Sequence, residues 1–145
     1  MATRLQLDRF LPYRLSVASN LVSDRIARAY QALFGLTIPE WRLIAVLAEE
    51  PSITPMALGE RTRMDKVTVS RAATALLARG LLIRTPHARD GRSHLLDLSP
   101  TGRELYARVA PEALKLERDL LAGFSVEEVA TLTAMLRRLE QAALK

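Results

Sequence analysis

Two short helices separated by very few residues constrain the fold of this chain more than any other feature. Thr54-Pro55 is typical of a helix start, because threonine caps free backbone N–H groups and proline fits the first turn. Asp65 starts a second helix, which Gly80 ends. Only residues 62–64 remain between the two helices, a connection of about three residues. This spacing predicts a helix-turn-helix.

A β-hairpin is predicted directly after the helix-turn-helix, where the helical period gives way to short apolar pieces. Residues 81–84 and 94–98 are the predicted strands, and residues 86–93 form a polar tip that contains glycine. A projecting hairpin behind a helix-turn-helix is a winged arrangement.

Long amphipathic helices are predicted at both ends of the chain. Apolar residues recur at three- and four-residue steps from Asp8 to Phe34, and a second helix begins at a Thr37/Glu40 capping box. Ser99-Pro100 starts a helix through about Leu121. Ser125 and Glu128 cap a last helix through about residue 143.

The apolar faces of these end helices exceed what a small winged lobe could cover, so we expect a partner surface. The predicted fold class is mainly α with a small β-hairpin wing. We predict a winged helix-turn-helix DNA-binding domain at 36–99, and a helical dimerisation region formed by 1–35 and 100–145.

The charge of the chain favours a nucleic-acid partner. The formal net charge is +5, and only three of the 21 basic residues are lysine. Arginine can donate two hydrogen bonds at once to phosphate oxygens or to guanine edges.

The chain has no cysteine, which excludes disulfides and thiol switches.

The helix from Asp65 has one apolar face and one small, polar and basic face, and the latter suits a DNA major groove. The Arg-rich hairpin tip suits phosphates or a minor groove. We expect Asp90 to orient a neighbouring arginine or the hairpin turn. The predicted DNA-binding residues are Thr54, Arg63, Lys66, Val67, Thr68, Ser70, Arg71, Thr74, Arg89, Asp90, Arg92 and Ser93.

Catalysis is not expected, because no histidine stands beside a nucleophile with a supporting acid and no phosphate-binding glycine loop is present. His87 and His94 have no nearby third ligand, so we predict neither a metal site nor a cofactor. No apolar run is long enough for a signal peptide or a membrane span, so we expect a cytoplasmic protein without a membrane partner.

Several stretches together resemble the MarR family in order and spacing. They are Leu36 to Trp41, Met64 to Arg71, Arg79 to Leu82, Arg89 to Arg92, and Leu98 to Gly102. The resemblance covers essentially the whole chain. It implies a homodimer that binds double-stranded DNA at a pseudo-palindromic operator, with recognition helices about 34 Å apart. Repression is the family's commoner activity.

The resemblance also implies a small aromatic or acidic effector that releases the DNA. Such a ligand would enter between the dimerisation and DNA-binding lobes. Arg14 could pair with a carboxylate, and aromatic side chains could wall an apolar pocket. The predicted effector-binding residues are Tyr13, Arg14, Ser16, Asn20 and Trp41.

Two other functions are compatible with a winged helix. An architectural or replication-associated protein would bind DNA with a steep salt dependence, little sequence preference and no ligand response. A protein-interaction winged helix would carry an apolar or acidic outer face on the helix from Asp65, and this sequence lacks that face.

Overall fold

The computed structural model describes residues 2–87, 89, 91 and 93–145. Within these residues, a short 3₁₀ helix (Leu7–Arg9) precedes six α-helices and one antiparallel hairpin, which confirms the predicted fold class. In chain order they are α1 (Leu11–Phe34), α2 (Ile38–Glu49), α3 (Pro55–Thr62), α4 (Lys66–Ala78), β1 (Leu82–Pro86), β2 (His94–Leu98), α5 (Pro100–Leu120) and α6 (Val126–Ala143).

The predicted caps are present. In α2, the Glu40 N–H donates to Thr37 Oγ1 (3.2 Å) and the Thr37 N–H donates to Glu40 Oε1 (2.8 Å). Thr54 caps α3, and the Ser99 hydroxyl accepts the Gly102 N–H at the start of α5. These bonds satisfy donors that have no partner inside a helix.

Three predicted boundaries are corrected by the structure. The first helix begins at Leu11 and not at Asp8, since Pro12 has no N–H and in the first turn it removes no intrahelical hydrogen bond. The helix-turn-helix connection spans residues 63–65 and not 62–64, because Thr62 still belongs to α3 and Asp65 is the cap of α4. β1 extends to Pro86, which pairs with His94.

The chain divides into two compact units, one up to Arg108 and one from Val109 onward. The core of the first unit is formed by leucines, isoleucines and valines of several elements. Its fully buried side chains are Leu36, Leu43, Ile44, Leu47, Leu58, Val69, Leu76 and Leu96. This core fixes α4 against α2 and α3.

The second unit contains the end of α5 and all of α6. A second capping box starts α6, in which the Glu128 N–H donates to Ser125 Oγ (3.0 Å) and Glu128 Oε1 accepts the Ser125 N–H (2.8 Å). None of the residues of α6 is buried. None of the helices that the structure describes combines the length and apolar character needed to cross a lipid bilayer.

Candidate nucleic-acid interface and effector residues

Helix α4 separates an inner face from an outer face as the sequence predicts. Val69, Ala72, Ala73 and Leu76 are buried, whereas Val67, Ser70, Arg71, Thr74 and Ala78 are exposed. Lys66 is exposed in the first turn and Thr68 is half-buried. The outer face is therefore free to meet a macromolecule, and its side chains are small apart from Arg71.

The start of α4 is held by Asp65. Its Oδ1 accepts the Thr68 N–H at 2.8 Å. Hydrogen bonds from the backbone and side chain of Thr68 lower the pKa of Asp65 below its usual range, because they favour the charged carboxylate. The carboxylate therefore caps the helix near neutral pH.

The far end of α4 is tied to α1. Arg79 follows α4, and its guanidinium donates to the carbonyl oxygens of Gly35 (3.1 Å) and Phe34 (3.3 Å). These carbonyls end α1, where intrahelical partners run out. Arg79 thus fixes α4 relative to α1, a role that the sequence analysis missed because the partners lie far apart in the chain.

Thr54 and Arg63 are the two predicted DNA-binding residues of the helix-turn-helix that lie outside α4, and they differ in exposure. Thr54 is half-buried and its hydroxyl accepts the Ala57 N–H at 3.2 Å, so it is engaged as a cap. Arg63 is exposed and has a left-handed backbone (φ +60°) in the turn between α3 and α4. This left-handed conformation is uncommon for residues other than glycine.

A groove of approximately 700 Å³ separates α3 and α4 from the hairpin. Its cationic lining comprises Arg63, Lys66 and Arg84. Arg84 is exposed on β1 and was absent from the predicted DNA-binding set. The signal that could have found it is the strand alternation, which places Arg84 on the same face of β1 as Leu82. In the structure Arg84 pairs with Leu96, and both line the groove.

The hairpin tip is described in part. Arg89 is exposed, and its N–H donates to His87 Nδ1 at 3.1 Å. Ser93 is half-buried, and its carbonyl accepts the His87 N–H at 3.1 Å. Asp90 and Arg92, both predicted to serve DNA binding, lie outside the described residues.

Contacts that sequence reasoning missed anchor the hairpin to the helical part of its unit, and two of them involve Ile53 and Ser99. Ile53 pairs with Leu96 through two backbone hydrogen bonds, of 2.9 and 3.3 Å. The Ser99 hydroxyl donates to the Gly80 carbonyl at 2.6 Å. The first contact joins β2 to the loop before α3, and the second joins the end of β2 to the end of α4.

Arg61 joins α3 to the end of α2. Its guanidinium pairs with the carboxylates of Glu49 and, at 2.6 Å, Glu50. Hydrogen bonds to Glu50 and Glu49 raise the pKa of Arg61, which stays cationic. Both ion pairs are exposed to solvent, so they contribute little to the stability of the fold.

The five predicted effector residues are not brought together within one chain. Tyr13, Arg14, Ser16 and Asn20 are exposed on the first half of α1. The Arg14 guanidinium lies 3.4 Å (Nη1) from Asp8 Oδ1 and 5.9 Å (Cζ) from the centre of the Tyr13 ring. These four residues form an exposed polar surface on α1.

Trp41 instead belongs to a cluster of three aromatic rings. It stacks on Tyr106 (5.8 Å between ring centres, 14° between planes) and meets the edge of Tyr30 (5.7 Å, 64°). Burial raises the pKa of Tyr30. Since α1 rises 1.5 Å per residue, Tyr30 lies about 25 Å along the helix from Tyr13. Tyr30 and Tyr106 were missed because nothing local indicates that they meet.

Metal ligands were not expected from the sequence. In the described part of the chain, no three histidine, cysteine, aspartate or glutamate side chains are grouped closely enough to hold an ion.

Comparison with known proteins gives consistent matches. The model of the MarR family matches residues 34–93. The homoprotocatechuate degradative operon repressor of Escherichia coli is 29% identical over 102 residues, which cover 70% of this chain and 69% of that protein.

Two solved structures match over almost the full length. A MarR/EmrR family transcriptional regulator from Acinetobacter sp. ADP1 has a TM-score of 0.87 at 26% identity, covering 96% of this chain and 98% of that one. The PcaV transcriptional regulator of Streptomyces coelicolor, solved with its natural ligand, has a TM-score of 0.79 at 26% identity, covering 98% and 99%.

Proposed function

Because the chain belongs to the MarR family of DNA-binding transcriptional regulators, and is not an enzyme, we propose that it acts as a homodimeric repressor. In this proposal the dimer binds a palindromic operator through α4 and the hairpin. A small aromatic or acidic ligand then releases it.

The observation that carries this proposal is the outer face of α4. Ser70, Arg71 and Thr74 are exposed, while the opposite face of the same helix is buried. Hydroxyl groups can bond either bases or phosphates, and arginine can fork onto guanine O6 and N7. Asp65 and Arg79 hold the two ends of the helix, which supports a preformed reading surface. A preformed surface loses little conformational entropy on binding.

Exposed apolar surface supports the homodimer. On α6, Leu132, Met135, Leu136 and Leu139 follow the three- and four-residue spacing of one helix face, and all are exposed in the single chain. Large contiguous apolar surfaces are rare on monomers and mark interaction sites. On α1, Leu11, Leu21 and Leu33 are exposed as well. We assign 1–35 and 100–145 to dimerisation and 36–99 to DNA binding.

The effector proposal is supported by two features of this chain. Arg14 offers a guanidinium for a carboxylate beside the Tyr13 ring. Trp41 contacts aromatic residues of α1 and α5, so it lies where those helices meet the winged elements. PcaV was solved with a natural ligand, which places ligand binding among the relatives. The Escherichia coli relative is an operon repressor, which supports repression.

The test of DNA binding uses the full chain and the DNA that flanks its own gene, with scrambled DNA as competitor at fixed near-physiological salt. We expect saturable binding at least about a thousandfold tighter than to scrambled DNA. Arg71→Ala should weaken it at least about fivefold, since a good arginine–base pair contributes about 1–3 kcal/mol of discrimination. Arg42→Ala removes an equal charge from an exposed position on α2 and serves as the matched control.

The outcomes separate the candidate functions. Equal affinity for flanking and scrambled DNA would favour the architectural alternative. Absence of binding to any flanking fragment would contradict the proposal. Sedimentation of the free chain and of its operator complex tests the dimer directly.

The effector test follows the fluorescence of Trp41, the single tryptophan of the chain, during titration with aromatic carboxylic acids. We expect a saturable change and release of bound operator over the same concentrations. Arg14→Ala should raise the ligand Kd, and Arg42→Ala should leave it unchanged. Operator release that is insensitive to Arg14→Ala would remove Arg14 from the proposed effector site.

A further inference from the structure

Val67 is a branched aliphatic side chain that shares the exposed face of α4 with the polar residues Ser70, Arg71 and Thr74. It lies in the first turn of α4 and is 58% exposed, whereas Val69, two residues later, is 2% exposed. Packing within the chain therefore accounts for Val69 and not for Val67. Valine also has a lower helix propensity than alanine, so helix formation gives no reason for it at this position.

The orientation of Val67 is set by the helical repeat. Val67, Ser70, Arg71 and Thr74 are separated by the three- and four-residue steps that place side chains on one face. Ser70 and Thr74 line the groove beside the hairpin, and Val67 and Arg71 are outside its lining. Val67 is thus one turn N-terminal to Arg71, on the exposed face of α4 and outside the groove lining.

The DNA surface that this face would meet has one kind of apolar group at its base edges. In the major groove, guanine, adenine and cytosine present hydrogen-bond donors and acceptors, and thymine adds its C5-methyl group. The N-terminal residues of a recognition helix are those that approach base edges most closely. A branched aliphatic side chain there can make no hydrogen bond, but it can exclude water from a methyl group.

We propose that Val67 is a specificity-determining residue that recognises the C5-methyl group of a thymine in each half of the operator. This inference rests on the proposed function, since it assigns one contact within the same DNA-binding surface. Val67 selects thymine by apolar contact, and Arg71, one turn away, supplies the polar contact to an adjacent position.

The experiment replaces thymines of the operator by deoxyuridine, one position in both half-sites at a time. Deoxyuridine pairs with adenine as thymine does and lacks only the methyl group. For the wild-type chain, we expect one position at which this replacement raises Kd about three- to fivefold per half-site, as loss of one buried methyl contact predicts. For Val67→Ala, the same replacement should leave Kd unchanged within error.

Two further variants keep the test specific. Ile83→Ala shortens another exposed aliphatic side chain of the winged lobe, on β1, and should retain the wild-type dependence on thymine. Val67→Thr keeps one methyl group on the same branched side chain and should retain part of the dependence on the thymine methyl group. Because Val67 is exposed, Val67→Ala should fold normally, and its thermal transition verifies this.

The possible results each decide the matter. Wild-type binding that is indifferent to deoxyuridine at every thymine overturns the inference while the proposed function stands. An equal methyl dependence in wild type and Val67→Ala also overturns it, because another residue then makes the contact. Equal binding of operator and scrambled DNA by the wild-type chain defeats the proposed function and this inference together.

Discussion

Asp97 accepts two hydrogen bonds from Ser52, one from the backbone N–H at 2.6 Å and one from the hydroxyl at 3.0 Å. Asp97 lies on β2, and Ser52 lies in the loop between α2 and α3 with a left-handed backbone (φ +57°). The next residue, Ile53, pairs with Leu96. The carboxylate therefore fixes the hairpin to the segment that leads into the helix-turn-helix.

Removing this carboxylate should affect both stability and DNA binding. We predict that Asp97→Ala lowers the free energy of unfolding by about 1.5 kcal/mol, the low end for hydrogen bonds to a charged group, because Ser52 is exposed. Operator affinity should also fall, because the hairpin is then less firmly oriented. Asp97→Asn keeps one acceptor oxygen and should lie between wild type and Asp97→Ala. Urea denaturation and operator titration measure the two effects, and identical unfolding midpoints would contradict the prediction.

Gly102 is required by a close approach of two backbones. A Cβ atom at this position would overlap the carbonyl oxygen of Leu81 and lie 3.3 Å from Leu98 Cδ2. We predict that Gly102→Ala destabilises the chain by about 2 kcal/mol or more, because the obstacle is backbone in a packed region. The matched control is Gly123→Ala, where a Cβ atom meets nothing within 4 Å. Similar melting temperatures for the two variants would refute this explanation.

Arg79 should contribute to stability through α1 and not through its charge alone. Arg79→Ala removes the hydrogen bonds to Phe34 and Gly35 and should cost about 1 kcal/mol. Arg79→Lys keeps the charge but cannot donate with the same planar fork, so it should recover only part of the loss. Chemical denaturation of these variants and of the control Arg42→Ala tests this. Full recovery by lysine would indicate that charge alone matters.

Asp65 predicts a pH dependence of stability. Its pKa is lowered in the folded chain from a usual value of 3.8, so it stabilises the fold above that pH. The contribution is lost as the pH falls through the lowered folded-state pKa. Asp65→Ser retains a capping oxygen but no titrating group. The melting-temperature advantage of wild type over Asp65→Ser should be greatest near pH 7 and shrink below about pH 4. An advantage that does not change with pH would contradict this assignment.

Local sequence patterns determined the secondary structure and the face of α4 that is exposed. Capping residues and apolar spacing act within a few neighbouring residues, so Asp65 and Thr37/Glu40 could be recognised without a partner elsewhere. The order of the helices and the hairpin along the chain could be predicted from the same local patterns, and this order gave the fold class. For the same reason Val67, Ser70 and Arg71 could be placed on the outer face from the helical repeat alone.

Tertiary structure alone decided which distant residues meet. Ser52 with Asp97, Arg79 with the end of α1, and Trp41 with Tyr30 and Tyr106 each join segments remote in sequence. A local pattern carries no information on such partners, because side-chain contacts depend on how whole elements pack. The left-handed backbones of Ser52 and Arg63 are likewise imposed by the loops around them, since neither residue type favours that conformation by itself.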